Sequence, residues 1–445
     1  MKFGGTSVCD ANAMKNVACI VKQLQSQKPF VVISAIAQGT NLLEKMGNTA
    51  SQGEIEVSKE TIRDFIARHE SIVRYGISNE ENKNFLQNIL ENVAQELADL
   101  CQGIYLLQEL SPKSLDKLYG FGEFLSSHCV AKILDEAGIN AHWIDARTFM
   151  ITDENFNAAN PQMNIVAKKL SNLLAGKNDD TVFVTQGFIG ATLQGFPTTM
   201  GRESSDFSAA ILGAVLKAEE VQIWTDVDGI FTADPNIVTR AKKISTLSYQ
   251  EALILSERGA KVLHPKTIIP VMENDIPLIV RNSKRVDDVG TKIFSNTMPS
   301  SDATAISWMN SLSIISLAPI RGMNYFLIAE ILAGIFAKNK ITPILQISSQ
   351  NLLQFVFNEK NSLNSFIQDC VSIGYVEVLE KKALLSLVGK NTFAVNSVLN
   401  RIGKILDIVP TYLFFSDVQS KCISIIVDEE NIASFAQKIH EEFFE

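Results

Sequence analysis

A lysine, two glycines and two hydroxyl residues stand together at Lys2-Phe3-Gly4-Gly5-Thr6-Ser7. Paired glycines let a backbone turn tightly and bring its N–H groups against an anion. Thr6 and Ser7 are placed to cap a helix expected from about Ala11 to Gln25, and phosphate oxygens favour a helix N-terminus. Lys2 adds a full positive charge beside it. The segment suits nucleotide phosphates, although not as a Walker loop, because the G-x-x-x-x-G-K-[ST] spacing is missing. A strand-to-helix turn that needs glycine on steric grounds accounts for the same residues. Other segments must decide between the two.

Four further constellations carry chemistry. In Gly201-Arg202-Glu203-Ser204-Ser205-Asp206, Arg202 offers a planar fork for a carboxylate. Ser205 reads as a helix cap and Asp206 as a first-turn acid favoured by the helix dipole. A capped helix start explains those two residues but not Arg202. Glu123 is the single carboxylate in the apolar run Phe121 to Ser127. Burying it is expensive without a partner, and a ligand ammonium is one. Trp224 to Pro235 follows an apolar strand and contains Asp-Gly and Asp-Pro turns; it is either a loop that cups a base or a surface connection. In Gly259 to Pro265, Lys261 is placed to meet phosphate. His264 reads better as a hydrogen-bonded structural residue than as a base, since no carboxylate is near it in sequence.

Elements that position these residues follow from hydrophobic pattern. Apolar runs at Phe30–Ala35, Ala141–Asp145, Asp180–Gly187, Glu220–Asp226 and Leu278–Asn282 alternate with helical stretches, among them Phe121–Glu136, Asn160–Leu174, Ser205–Leu216 and Ser248–Arg258. Such alternation predicts an α/β fold with a mainly parallel sheet. Ligands in these folds bind beyond the carboxyl ends of the strands, and polar clusters sit there: Ser34-Ala35, Thr185-Gln186-Gly187 and Thr225-Asp226. Leu42 to Leu118 is rich in helix formers and reads as a helical insertion. Turn residues cluster at Phe294 to Thr304 and mark a domain boundary. Beyond it, two strand–helix–strand–strand–helix patterns follow one another as a weak βαββαβ repeat, at about 311–380 and 381–445. A hairpin is expected around Ser348 to Asn351.

The 445 residues have room for about two or three domains. Their net charge of −9 argues against a nucleic-acid partner. The six cysteines show no metal-ligand or disulfide-framework spacing and are expected as buried, reduced thiols. No signal peptide or membrane-length apolar run is apparent, so the expected location is cytoplasmic.

Taken in order, Lys2–Val8, Ser34–Leu42, Gly122-Glu123, Thr185–Phe188, Gly201–Asp206, Trp224–Pro235 and Gly259–Pro265 resemble the motifs of the aspartokinases, within the amino acid kinase family. The resemblance runs the length of the chain. It implies a catalytic domain at 1–298, with the helical insertion at about 42–118, and a regulatory region at 299–445 made of two ferredoxin-like ACT modules. It implies transfer of phosphate from MgATP to the β-carboxylate of L-aspartate, the first step towards lysine, threonine and methionine. By resemblance, Lys2 and Asp206 are catalytic. Ser34, Thr40, Glu123, Arg202 and Ser205 bind aspartate, with Glu123 on its ammonium and Arg202 on its α-carboxylate. Lys2, Gly4, Gly5, Thr225, Asp226, Phe231 and Lys261 contact ATP. Mg2+ is held mainly through the ATP phosphates, with no protein metal site. The implied partners are aspartate, ATP, an amino-acid effector at the ACT modules, and a second copy of the chain.

Some residues depart from the family pattern. Glu203-Ser204 stands where glycine or asparagine followed by glycine is usual, Phe231 replaces a tyrosine, and Asn236 an arginine. One residue precedes Lys2 where relatives carry several, so a short first strand is expected. In the regulatory half, Ile344 and Gln350 stand where lysine-sensitive relatives have an aspartate and a glutamate. Weak or absent lysine inhibition is therefore expected. The alternatives are a kinase for another small acidic amino acid and an inactive ACT-type sensor.

Overall fold

The central strands are short, apolar and parallel, as expected for a sheet covered on both faces. The computed structural model describes residues 1–178, 180–201, 203–260, 262–295, 303–320, 323–349, 351–358, 363–389, 396–406, 409–417 and 422–445. Arg202, Lys261, Gln350 and Phe393 lie outside them. In chain order the first elements are β1 (Lys2–Phe3), α1 (Ala11–Gln23), β2 (Phe30–Ile33), α2 (Gly39–Ser51), α3 (Ile55–Gly76), α4 (Glu80–Leu107), α5 (Pro112–Glu136), β3 (Ala141–Ile144), α6 (Met163–Leu174) and β4 (Val182–Gln186). There follow β5 (Ile189–Ala191), β6 (Pro197–Thr199), α7 (Ser205–Leu216), β7 (Val221–Thr225), β8 (Thr246–Ser248), α8 (Tyr249–Glu257), α9 (Pro265–Glu273), β9 (Leu278–Asn282) and β10 (Thr291–Phe294).

Eight of these strands form one sheet in the order β3-β4-β2-β1-β7-β9-β10-β8. All neighbours are parallel except β10 against β9. The two-residue β1 is central. Lys2 lies opposite Val32 and Ile223, and Phe3 opposite Ile33 and Trp224. Phe3 is fully buried and stacks on Trp224 at 6.0 Å, so burial on both faces stabilises a strand too short to persist alone. Four helices, α2 to α5, run between β2 and β3 with no strand among them.

Two expected caps are replaced. Helix α1 is capped by Asp10, whose Oδ1 accepts from the Ala13 N–H at 2.8 Å, rather than by Thr6 or Ser7. Residues Gly5–Val8 form a 3-10 turn instead, which moves the helix start past both hydroxyls. At α7 the cap position is Ser204, its hydroxyl donating to the Gly201 carbonyl at 2.6 Å, and Ser205 is the first helical residue.

The chain divides into two compact units. One comprises Met1–Ile230, Lys243–Tyr249 and Val262–Thr297; the other comprises Phe231–Lys242, Gln250–Lys261 and Met298–Glu445. The second contains β11 (Ala305–Pro319), α10 (Tyr325–Asn339), β12 (Leu345–Ser348), β13 (Leu353–Phe357), α11 (Leu363–Val371), β14 (Gly374–Val388), α12 (Asn396–Leu406), β15 (Thr411–Asp417), β16 (Cys422–Asp428) and α13 (Ile432–Phe444). Its six-stranded sheet has the order β12-β13-β11-β14-β16-β15, with all pairs antiparallel. The hairpin expected at 348–351 joins β12 to β13.

Strands β11 and β14, 15 residues each, pair from end to end, with register shifts between Met309 and Leu312 and between Leu312 and Ile314. The sequence pattern ends one βαββαβ set and begins the next within the span of β14, and places no strand before about residue 311. The register supplies the missing one: residues 305–309 pair with 384–388, beside β16. The second βαββαβ set is thus completed by a strand that precedes the first set in the chain, and the expected consecutive division at 380/381 falls inside a continuous strand.

Among the described residues no helix is long and apolar enough to cross a membrane. None of the six cysteines is in a disulfide; four are buried, but Cys9 and Cys19 are exposed, against the expectation for those two.

Candidate active site

Parallel strands end at a common edge, and here that edge gathers the polar residues. Strands β1, β2, β4, β7 and β9 lead into Gly4-Gly5, Ser34, Gly187, Asp226 and Ser283. Lys2 lies almost buried on β1, and its Nζ is 2.6 Å from Oδ1 of Asp206 in the first turn of α7. The Gly4 N–H donates to the Trp224 carbonyl at 2.9 Å and so continues the sheet. The N–H groups at the head of the following turn belong to Gly5 and Thr6, where a helical turn has no internal acceptors. Glycine is needed at position 5, because a Cβ there would lie 2.9 Å from the Ala35 carbonyl oxygen.

Beside this edge is a cavity of about 490 Å³. Gly5, Ser34, Thr40, Glu123 and Ser205 all line it, so five site residues expected from widely separated motifs meet in one place. Glu123, on α5, is only 3% exposed. The Ala35 N–H donates to its carboxylate, while Oε2 is buried with no hydrogen-bond partner. Burial pushes its pKa from 4.5 up to about 8, against the opposing Ala35 hydrogen bond and the nearby Lys2 charge. A neutral or unpartnered carboxyl in such a place is ready for a cationic ligand group.

The wall between β4 and α7 is close-packed. A Cβ at Gly187 would lie 2.7 Å from the Ser205 Cβ and 2.9 Å from its Cα. Gly187→Ala is therefore expected to push the start of α7, with Ser205 and Asp206, away from Lys2 and to lower kcat/KM about a hundredfold or more. Steady-state kinetics checks this, with circular dichroism confirming a folded variant.

A second polar group surrounds the end of β7. The Ser283 N–H donates to the Thr225 carbonyl at 2.8 Å. Asn282 Nδ2 donates to the Asp226 carbonyl at 3.3 Å and to Asp228 Oδ1 at 2.6 Å, and Arg285 pairs with Asp228 at 2.7 Å. The Ser7 hydroxyl donates to that of Ser283 at 2.8 Å, tying the first turn to this loop. Ser7, Asn282, Ser283 and Arg285 were not singled out from sequence in this role. The available signal was the polar end of the Leu278–Asn282 run, but which strand neighbours it is not written locally.

Arg202 and Lys261 lie outside the described residues. Phe231 belongs to the second unit, where the next residue, Thr232, bonds His440 Nε2 through its hydroxyl at 2.9 Å and accepts the Ile306 N–H at 2.8 Å. His264 caps α9, its Nδ1 accepting the Lys266 N–H at 3.1 Å, which is the structural role expected for it. Among the described residues, no group of three or more His, Cys, Asp and Glu is arranged to hold a metal ion.

A parallel sheet with an ion-paired lysine and a glycine turn at its carboxyl edge, next to a cavity with a buried acid, is an arrangement suited to phosphoryl transfer onto a small polar molecule. The chain belongs to the amino acid kinase family, whose model matches residues 1–282. Within that family its similarity is to aspartokinases. It is 31% identical to the lysine-sensitive aspartokinase 3 of Escherichia coli K12, over 100% of this chain and 98% of that protein. The crystal structure of E. coli aspartokinase III in complex with aspartate and ADP (R-state) matches with a TM-score of 0.89 and 29% identity, covering 100% of this chain and 99% of the other. The chloroplastic bifunctional aspartokinase/homoserine dehydrogenase 2 of Arabidopsis thaliana is 28% identical, and this chain spans 50% of its length.

Proposed function

We infer that the protein is an aspartate kinase, an ATP-dependent phosphotransferase that carries the γ-phosphoryl group to the β-carboxylate of L-aspartate and releases ADP. The observation that carries the reading is the Lys2–Asp206 pair next to a cavity whose deepest acid, Glu123, has an oxygen without a donor. In this reading Glu123 receives the substrate ammonium, Arg202 its α-carboxylate, and Ser34, Thr40 and Ser205 complete the pocket.

The β-carboxylate is already a nucleophile at neutral pH, so no general base is required. Catalysis then consists of alignment and charge neutralisation. Lys2 neutralises the transferring group, and Asp206 fixes the ammonium of Lys2. The glycine turn at Gly4-Gly5 approaches the phosphates, and Thr225 and Asp226, at the end of β7, hold the rest of the nucleotide. Asp206 and Asp228 are paired with Lys2 and Arg285, and among the described residues no three carboxylate, His or Cys groups converge; that donor set suits Mg2+ arriving on the ATP phosphates, where it would screen their charge.

The test is aspartate hydroxamate formation with MgATP, run in parallel with glutamate and acetylglutamate. Product with aspartate alone supports the assignment; product only with another acid, or with none, overturns it.

Residues 1–298 form the catalytic domain in this reading, and 299–445 the regulatory region with its two ACT modules, which also join two copies of the chain. Six cysteines held as thiols favour a reducing compartment, consistent with a cytoplasmic enzyme. Lysine is a poor effector here. Ile344 stands on the edge of an apolar cluster with Leu312, Ile314 and Val356, and its own side chain offers a lysine ammonium no carboxylate. Millimolar lysine is expected to leave most of the activity in the hydroxamate assay, and full inhibition by submillimolar lysine would contradict this.

A further inference from the structure

This inference rests on the aspartate-kinase reading and extends its substrate site. Asn157 lines the same cavity as Glu123. Its backbone is left-handed, with φ 67, a conformation that asparagine tolerates better than most residues. The conformation is braced. The Asn157 N–H donates to Asp116 Oδ2 at 2.9 Å, and the other oxygen of that carboxylate accepts the Thr199 hydroxyl at 2.5 Å.

Asp116 is fully buried and lies on α5, the helix that carries Glu123. Positions 116, 119 and 123 share one face of that helix by their spacing. One buried carboxylate thus ties three parts of the cavity wall together: α5, Thr199 on β6, and the loop at Asn157.

The side-chain oxygen of Asn157 is buried and has no hydrogen-bond partner, as is Oε2 of Glu123. Both atoms lie in the lining of one polar cavity without a protein partner, and a ligand that supplies donors would satisfy them. An ammonium group has three N–H donors and can satisfy both. We propose that Asn157 is a substrate-binding residue whose amide oxygen accepts from the ammonium of the bound amino acid alongside Glu123, and that Asp116 is the positioning residue that holds it there.

The competing account is that asparagine is present only because its backbone tolerates a positive φ. Asn157→Gly separates the two, because glycine adopts that φ without strain and removes only the amide. The variant is expected to raise KM for aspartate about ten- to a hundredfold, the range for a hydrogen bond to a charged group. KM for ATP should stay at the parent value. The thermal stabilisation that aspartate confers should shrink. Asp116→Asn is expected to raise KM for aspartate similarly, and the double variant should be no worse than the weaker single one, since both act on one contact.

Parent-like KM and thermal shift in Asn157→Gly would overturn the binding role while the kinase reading stands. Additive effects in the double variant would overturn the positioning role of Asp116. A parent chain that does not phosphorylate aspartate would overturn the kinase reading and this inference with it.

Discussion

Glu123→Gln is expected to make the ligand-free protein more stable at pH 8.5 and nearly incapable of using aspartate. The two effects have one cause. In the folded chain the Glu123 pKa rises from 4.5 to about 8, mainly through burial. A carboxyl raised in this way adds nothing unfavourable below pH 4.5, where it is protonated in both states. Between pH 4.5 and 8 the unfolded chain releases the proton and the folded chain keeps it, so folding stability falls as pH rises. Above pH 8 the full cost is present, on the order of 4 kcal/mol. Glutamine has the same shape and no such cost. The stability gain of the variant in urea unfolding should therefore be small at pH 5 and largest above pH 8. Equal gains at every pH would mean that Glu123 does not titrate as its burial implies.

Activity moves the other way, since glutamine has no charge to offer an ammonium. A rise in KM for aspartate of about 10³-fold is expected, from loss of a buried charge pair. The same titration makes a prediction for the unmodified chain. Below pH 8 the substrate must displace a proton from Glu123 as it binds. KM for aspartate should fall about tenfold for each pH unit between 6 and 8 and then level off, a slope that Glu123→Gln should lack.

Glu123 was legible in the sequence because a single acid in an apolar helical run stands out, and Lys2 because charge and paired glycines coincide. The parallel strands were legible because their apolar runs are continuous and bounded by polar ends. Asp116 was not. In Ser114-Leu115-Asp116-Lys117 it reads as an ordinary helix-surface acid, and its burial depends on Thr199 and Asn157, which are 83 and 41 residues away. The positive φ of Asn157 has no composition signal either. Strands of three or four residues, such as β5, β6, β8 and β10, are too short to show a period of two. The segment 305–309 was hidden for another reason. It follows a turn-rich stretch, and its partner strand lies about eighty residues later, so only the assembled sheet shows it as part of the second βαββαβ set. At the N-terminus three capping residues, Thr6, Ser7 and Asp10, compete within five positions. The 3-10 turn at Gly5–Val8 decides for Asp10, and that turn is itself set by the close approach of Gly5 to Ala35.

Lys2→Met should lower kcat about 10³-fold or more, the scale of removing a cation that neutralises a transferring phosphoryl group. It should also destabilise the fold, because it strands Asp206. The Lys2 and Asp206 side chains are 11% and 15% exposed, and removing one member of so sheltered a pair costs about 3 kcal/mol. A drop in activity alone would thus be ambiguous between lost chemistry and lost structure. Adding Asp206→Asn to Lys2→Met removes the stranded charge, so most of the stability should return. The activity should not, because no positive charge is restored at the end of β1. Urea unfolding measures the first quantity and the hydroxamate assay the second. If the double variant regains activity together with stability, Lys2 acts only as a partner for Asp206, and the phosphoryl group is neutralised elsewhere. If stability returns while activity stays low, the two functions of the lysine are separated: its ion pair holds the start of α7 against β1, and its charge acts on the phosphate.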